Sequence, residues 1–185
     1  MKKYKGGCAI MLKLWDPKRQ YDLVPLLDPA MKWAADRGDC KKVDVEDYHL
    51  TLQFVGRDLS GSEAALVITS AFAFAEESGP LEISFNGKFV LHGTSKGQYL
   101  VAKVEPTDAL KTARERIRQL LRSASITIKD PFPFSPHVTL TEEPPADSES
   151  GADVEGAPDF SIPPLIAKAS QIEVKYGPHR MLVEL

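Results

Sequence analysis

Residues 7–15 (Gly-Cys-Ala-Ile-Met-Leu-Lys-Leu-Trp) form a nearly unbroken apolar run closed by Asp16-Pro17, the pattern of a buried strand. A helix is predicted over 28–37, with Asp28 as N-cap, Pro29 in the first helical position and Gly38 as its stop. Residues 49–56 alternate and are rich in β-formers, which predicts a strand ended by Gly56. Ser60-Gly61-Ser62-Glu63 has the form of a capping box, and the apolar stretch to Ser78 reads as a mostly buried helix. Two strands are expected at 81–90 and 98–105 around a Gly/Ser/Lys turn. Thr107 or Asp108 then caps an amphipathic helix. Its Leu110, Ala113, Ile117, Leu120, Leu121 and Ala124 recur at steps of three and four, and Lys111, Arg114, Glu115, Arg116, Arg118 and Arg122 occupy the other face. Strands are predicted at 125–129, around 137–141, and near 166–176 and 181–185, the last two joined by Gly177-Pro178.

From Thr141 to Pro164 the pattern breaks down. The stretch is rich in Pro, Asp, Glu, Ser and Gly and holds no Lys or Arg, so it reads as a mobile acidic loop. Such a loop is either a solvated insertion or a lid over a neighbouring site. The order of elements suggests an α+β chain with two similar lobes, organised as a single domain over 1–185.

Composition narrows the partners. The 185 residues are 43% hydrophobic and 26% charged, with a net charge of −3. That balance does not suit non-specific binding of a long duplex, so a short or small nucleotide fits better than duplex DNA. Cys8 and Cys40 read as reduced thiols, and no Cys/His cluster has zinc spacing. No stretch approaches the roughly 20 apolar residues of a membrane span. The expectation is a cytoplasmic chain acting as a monomer, without metal or cofactor.

Two of the four histidines stand in one repeated tetrad, His49-Leu50-Thr51-Leu52 and His137-Val138-Thr139-Leu140. On a strand, residues i and i+2 share a face. His49 and Thr51 therefore project together, as do His137 and Thr139, while the aliphatic residues turn to the core. Two imidazoles and two hydroxyls meeting in one cleft suit phosphodiester cleavage. A neutral imidazole takes a proton from the attacking oxygen, a protonated one gives a proton to the leaving oxygen, and the hydroxyls bond the phosphoryl oxygens. His92, in Leu-His-Gly-Thr, and His179, in Gly-Pro-His-Arg, read as surface turn residues, with His179 or Arg180 placed to edge the cleft. Trp15, Tyr48, Phe134 and Tyr176 are the aromatic candidates for stacking on a base.

In these residues the chain resembles the two-histidine phosphoesterase superfamily. His49-Leu50-Thr51-Leu52-Gln53-Phe54-Val55-Gly56 looks like its first signature, and Phe134-Ser135-Pro136-His137-Val138-Thr139-Leu140 looks like its second, with Pro before His. Phe85-Asn86-Gly87-Lys88-Phe89 loosely matches the strand turn between them. The resemblance implies a bilobed α+β domain, with two antiparallel sheets forming a central cleft and helices packed outside. It also implies that His49, Thr51, His137 and Thr139 are catalytic. The expected roles are His137 as base toward water and His49 as acid, exchanged if the reaction runs in reverse.

Family members include RNA 2′,3′-cyclic phosphodiesterases, RNA-end trimming enzymes and viral proteins that degrade 2′–5′ or cyclic oligonucleotide signals. RNA-acting members often carry an Arg shortly after the second motif. Here Thr141-Glu142-Glu143 follows it, and the first strand offers Lys13 and Trp15, which favours a small or cyclic nucleotide over an RNA backbone. The leading expectation is hydrolysis of a ribonucleotide phosphodiester, at a 2′,3′-cyclic phosphate end or within a 2′–5′ or cyclic oligonucleotide. Its rivals are a viral-type enzyme acting on cyclic oligonucleotide immune signals, a nucleotide sensor or sponge without turnover, and an RNA-end ligase.

Overall fold

The apolar opening run becomes strand β1 (Gly7–Lys13), with Ile10 and Leu12 buried. The protein is described from a computed structural model covering residues 6–16, 23–37, 41–94, 97–130, 133–142 and 161–185. Helix α1 (Val24–Arg37) starts about one turn earlier than the pattern at Asp28 suggests, so Pro29 lies inside it. The reason is the stripe Leu23, Leu26, Ala30 and Trp33, all buried at steps of three and four; burying it outweighs a cap at Asp28. Gly38 lies outside the described residues.

The chain continues through β2 (Lys41–Lys42), a 3-10 turn at Val45–Asp47, and β3 (His49–Arg57). Helix α2 (Gly61–Glu77) carries the expected capping box: the Ser60 hydroxyl accepts the Glu63 N–H at 3.2 Å, and the Glu63 carboxylate accepts the Ser60 N–H at 2.7 Å. Next come β4 (Leu81–Thr94), β5 (Gly97–Val104), and α3 (Asp108–Ser123), which is capped by Thr107. They are followed by β6 (His137–Glu142), β7 (Leu165–Ala169), β8 (Gln171–Tyr176) and β9 (His179–Glu184).

The expected strand at 125–129 does not form. Ser125 adopts a left-handed conformation with φ of 61°, which turns the chain out of α3. Beyond that turn the backbone bonds the sheet edge at Lys129, whose N–H donates to the Val55 carbonyl at 2.8 Å. The acidic stretch also begins later than expected. Thr141 and Glu142 complete β6, residues 143–160 lie outside the described residues, and Ser161 and Ile162 run beside β4.

That contact explains the Phe85–Phe89 segment, which is a register break inside β4 and not a turn between strands. Gly87 sits at φ +77°, and a Cβ there would stand 2.0 Å from the Ile162 carbonyl oxygen. The Ile162 N–H donates to the Gly87 carbonyl at 3.1 Å. Only glycine allows so close a backbone approach at a positive φ.

All strand pairs are antiparallel, and eight strands lie on one path, β7-β4-β5-β6-β3-β1-β8-β9, with β2 added beside β6. The two sheets expected from the resemblance are thus joined into one. The join is narrow: β3 and β6 share one register pair, Leu50 opposite Val138, beyond which β2 takes the edge of β6. The predicted strand at 166–176 is split at Ser170, so β7 and β8 follow each other in the chain yet sit near opposite ends of the path. The sheet must curve back on itself to bring them together. One face of it, with all three helices, encloses a single hydrophobic core.

No described helix is long and apolar enough to cross a membrane. Cys8 is buried and free, and burial pushes its thiol up to about 11. Cys40 lies outside the described residues.

Candidate active site

Leu50 and Val138 are both fully buried in the core and directly opposed across the β3–β6 join. Strand alternation then sends His49, Thr51, His137 and Thr139 to the other face of the sheet. Continuing the antiparallel register from that pair sets His49 beside Thr139 and Thr51 beside His137. The four polar side chains form one group about a local twofold axis through the Leu50–Val138 pair.

The symmetry extends to the neighbouring strands. Lys13 on β1 stands opposite His49, and Lys103 on β5 stands opposite His137. Met11 lies opposite Thr51 and Val101 opposite Thr139, and both are buried, forming an apolar floor. The register then slips at the fourth residue of each tetrad. Leu52 and Leu140 are the extra residues of two bulges, because Ile10 pairs with Gln53 and Leu100 with Thr141. Each bulge turns the following polar residue inward, so Gln53 and Thr141 are fully buried. Gln53 is tied to Asp130 at 3.0 Å, and the Thr141 hydroxyl accepts the Leu100 N–H at 3.3 Å.

Both imidazoles are oriented alike. His49 Nδ1 lies 2.7 Å from the Asp47 carbonyl, and His137 Nδ1 lies 2.8 Å from the Ser135 carbonyl. A carbonyl oxygen only accepts, so Nδ1 carries the proton and the neutral ring keeps its lone pair on Nε2. Each supporting residue is in turn held by a base. Arg180 bonds the Asp47 carboxylate, and Lys103 Nζ donates to the Ser135 hydroxyl at 3.2 Å.

The charges around the two rings differ. Burial lowers the pKa of both histidines, and the carbonyl bonds partly offset it. Near His49 stands Glu173, which is buried and favours the imidazolium, while Lys175 and Lys13 oppose it. Glu173 itself lies 3.7 Å from Lys13 and 3.5 Å from Arg180. The charges bearing on His137 come from His92, Lys103 and His49, and all of them disfavour its protonation. Among the described residues no group of three or more His, Cys, Asp or Glu is disposed to hold a metal ion.

The other sequence candidates divide. Arg180 is beside the site, bound to Asp47 and Glu173. Tyr48 is fully buried, because a residue next to His49 on an extended chain points the other way. Tyr176 pairs with the buried Cys8 in the β1–β8 register, which puts it on the helix-packed face, where it stacks on His179. Phe134 packs against the core under the Arg114 guanidinium, 4.7 Å from its ring centre. Trp15 is half-buried and packs against the core beyond β1. Tyr48 and Tyr176 thus face away from the two tetrads. His92, expected at the surface in a turn, is exposed but lies on β4, with its ring 5.2 Å from that of His137. Only the length of β4 past Leu91 would have signalled it. Lys103, the lone charge of β5, and Glu173, which alternates with Lys175 along β8, carry no local signal of their place at the site.

Known proteins share this architecture. The profile of the 2′-5′ RNA ligase superfamily matches residues 28–157. No curated protein sequence matches. Among solved structures, TT0787 of Thermus thermophilus superposes with a TM-score of 0.62 at 18% identity, covering 97% of this chain and 96% of that one. Usb1 of Kluyveromyces marxianus gives 0.61 at 12% identity, covering 98% and 99%. E. coli LigT complexed with 3′-AMP gives 0.59 at 14% identity, covering 99% and 95%. At these identities the likeness is one of fold.

Proposed function

The chain belongs to the 2′-5′ RNA ligase superfamily, the two-histidine phosphoesterase group its tetrads resemble, and from that premise we propose that it is a phosphodiesterase working by paired histidine acid–base catalysis. Its substrate in this reading is a ribonucleotide phosphodiester, either a 2′,3′-cyclic phosphate end or a 2′–5′ or cyclic oligonucleotide. The observation that carries the proposal is the matched pair of imidazoles, each with Nδ1 on a carbonyl and Nε2 left for the substrate.

His137 is the base. Burial, and then the basic groups beside it, favour the neutral ring, whose Nε2 takes a proton from the attacking water. His49 is the acid. The Glu173 carboxylate favours its charged form, which gives the Nε2 proton to the departing ribose oxygen. The Thr51 and Thr139 hydroxyls donate to the non-bridging oxygens as charge gathers on them. Lys13 and Lys103, one beside each histidine, make the cleft attractive to an anion. None of these steps calls on a metal. The 3′-AMP bound by LigT makes nucleotides the first class to test.

The test is a substrate panel of 2′,3′-cyclic mononucleotides, 2′–5′ oligoadenylate and cyclic di- and trinucleotides, read by mass spectrometry in EDTA. His49→Ala and His137→Ala should each lose about 10²–10⁴-fold in kcat. Full activity in either variant, complete loss of wild-type activity in EDTA, or tight binding without product after long incubation would overturn the proposal.

A further inference from the structure

Strand β4 continues through Thr94, and His92 stands opposite Tyr99 in the β4–β5 register. Tyr99, Val101 and Lys103 alternate along the same face of β5, and Val101 and Lys103 are opposed to Thr139 and His137. His92 therefore projects onto the face that bears both tetrads. Its ring reaches across β5 to His137, with the centroids 5.2 Å apart and the planes at 77°, an edge-to-face contact. His137 is thus held at two places, by the Ser135 carbonyl on Nδ1 and by a second imidazole against the ring.

We propose that His92 is a third histidine of this site, a positioning residue that walls the His137 ring from β4 and keeps its Nε2 aimed at the substrate. This rests on the reading of His137 as the base. His92 also breaks the local twofold symmetry. Among the described residues, the charged groups acting on His137 are His92 from β4, Lys103 from β5 and His49 from β3, all basic. Those acting on His49 include the Glu173 carboxylate from β8, opposed by Lys13 and Lys175. His92 thus adds to the basic groups that disfavour a charge on His137, and so favours the neutral base.

Two substitutions separate the wall from the basic nitrogens. His92→Phe keeps a flat ring and removes the ring nitrogens, and His92→Ala removes both. In His92→Ala, kcat should fall about tenfold or more with KM little changed, since a slightly misplaced base costs rate and not binding. In His92→Phe, kcat at high pH should stay within about threefold. The His137 titration followed by NMR, and the acid limb of the rate profile, should both move about half a unit to higher pH. Unchanged kcat and unchanged His137 titration in both variants would overturn the proposal. So would a rise in KM alone, which would mark a substrate contact. His137→Ala serves as the separating control: retained activity there refutes the base assignment, whereas lost activity there with silent His92 variants refutes only the role of His92.

Discussion

Replacing Glu173 by Gln tests the electrostatics of the site most directly. The carboxylate is 2% exposed, and its nearest charges are Lys13 at 3.7 Å and Arg180 at 3.5 Å. A unit pair at such a distance is worth about 1 kcal/mol under full water screening and about 4–5 kcal/mol at an effective dielectric near 20. The Arg180 share belongs near the lower figure, because that side chain is about half exposed and also holds Asp47. The Lys13 share belongs higher, because its side chain is only 11% exposed. Glu173→Gln leaves the Lys13 ammonium nearly buried without its carboxylate, at a cost of about 3 kcal/mol. For a chain of this size that is a fall of about 6–12 °C in Tm. The double variant Lys13→Met/Glu173→Leu removes both charges and should recover most of the loss. His49 loses a buried carboxylate that favours its charged form, so the basic limb of the kcat profile should move to lower pH. A fall in Tm of less than about 2 °C, or a basic limb that stays in place or moves upward, would refute this role of Glu173.

The same geometry sets three further outcomes. Burial holds both histidines below the free imidazole value of about 6.5. The acid limb of kcat/KM reports the base and the basic limb reports the acid, so both limbs, and the optimum between them, should lie below that pH; an optimum above about pH 7.5 would contradict it. Gly87→Ala forces a Cβ onto the Ile162 carbonyl at a positive φ and should cost about 2–4 kcal/mol in chemical denaturation, from backbone strain and the lost bond to Ile162. The Tyr48 hydroxyl is buried with no partner among the described residues, and burial pushes it up to about 12. Tyr48→Phe should therefore keep full activity and gain up to about 1 kcal/mol in stability, whereas a rise in KM would return Tyr48 to the substrate site.

Much of this protein is legible along the chain because it is local. The capping box at Ser60 and Glu63, the stripe of α3, and the alternation of both tetrads depend on neighbours a few residues apart. Alternation alone also places Tyr48 away from His49, since adjacent residues on a strand face opposite ways. The start of α1 is not legible in this way, because Asp28-Pro29 is a good local start signal, whereas the face that binds the core begins at Leu23.

The two tetrads, and hence the kind of chemistry to look for, were determined by sequence alone. Their meeting at the Leu50–Val138 pair, the paired bulges that turn Gln53 and Thr141 inward, and the placement of Lys103, Glu173 and His92 were decided only by the tertiary structure. The physical reason is that a strand's alternation is set by its own backbone. Which residue stands opposite another is set by register between segments far apart in the chain, and that register leaves no periodic trace in either segment.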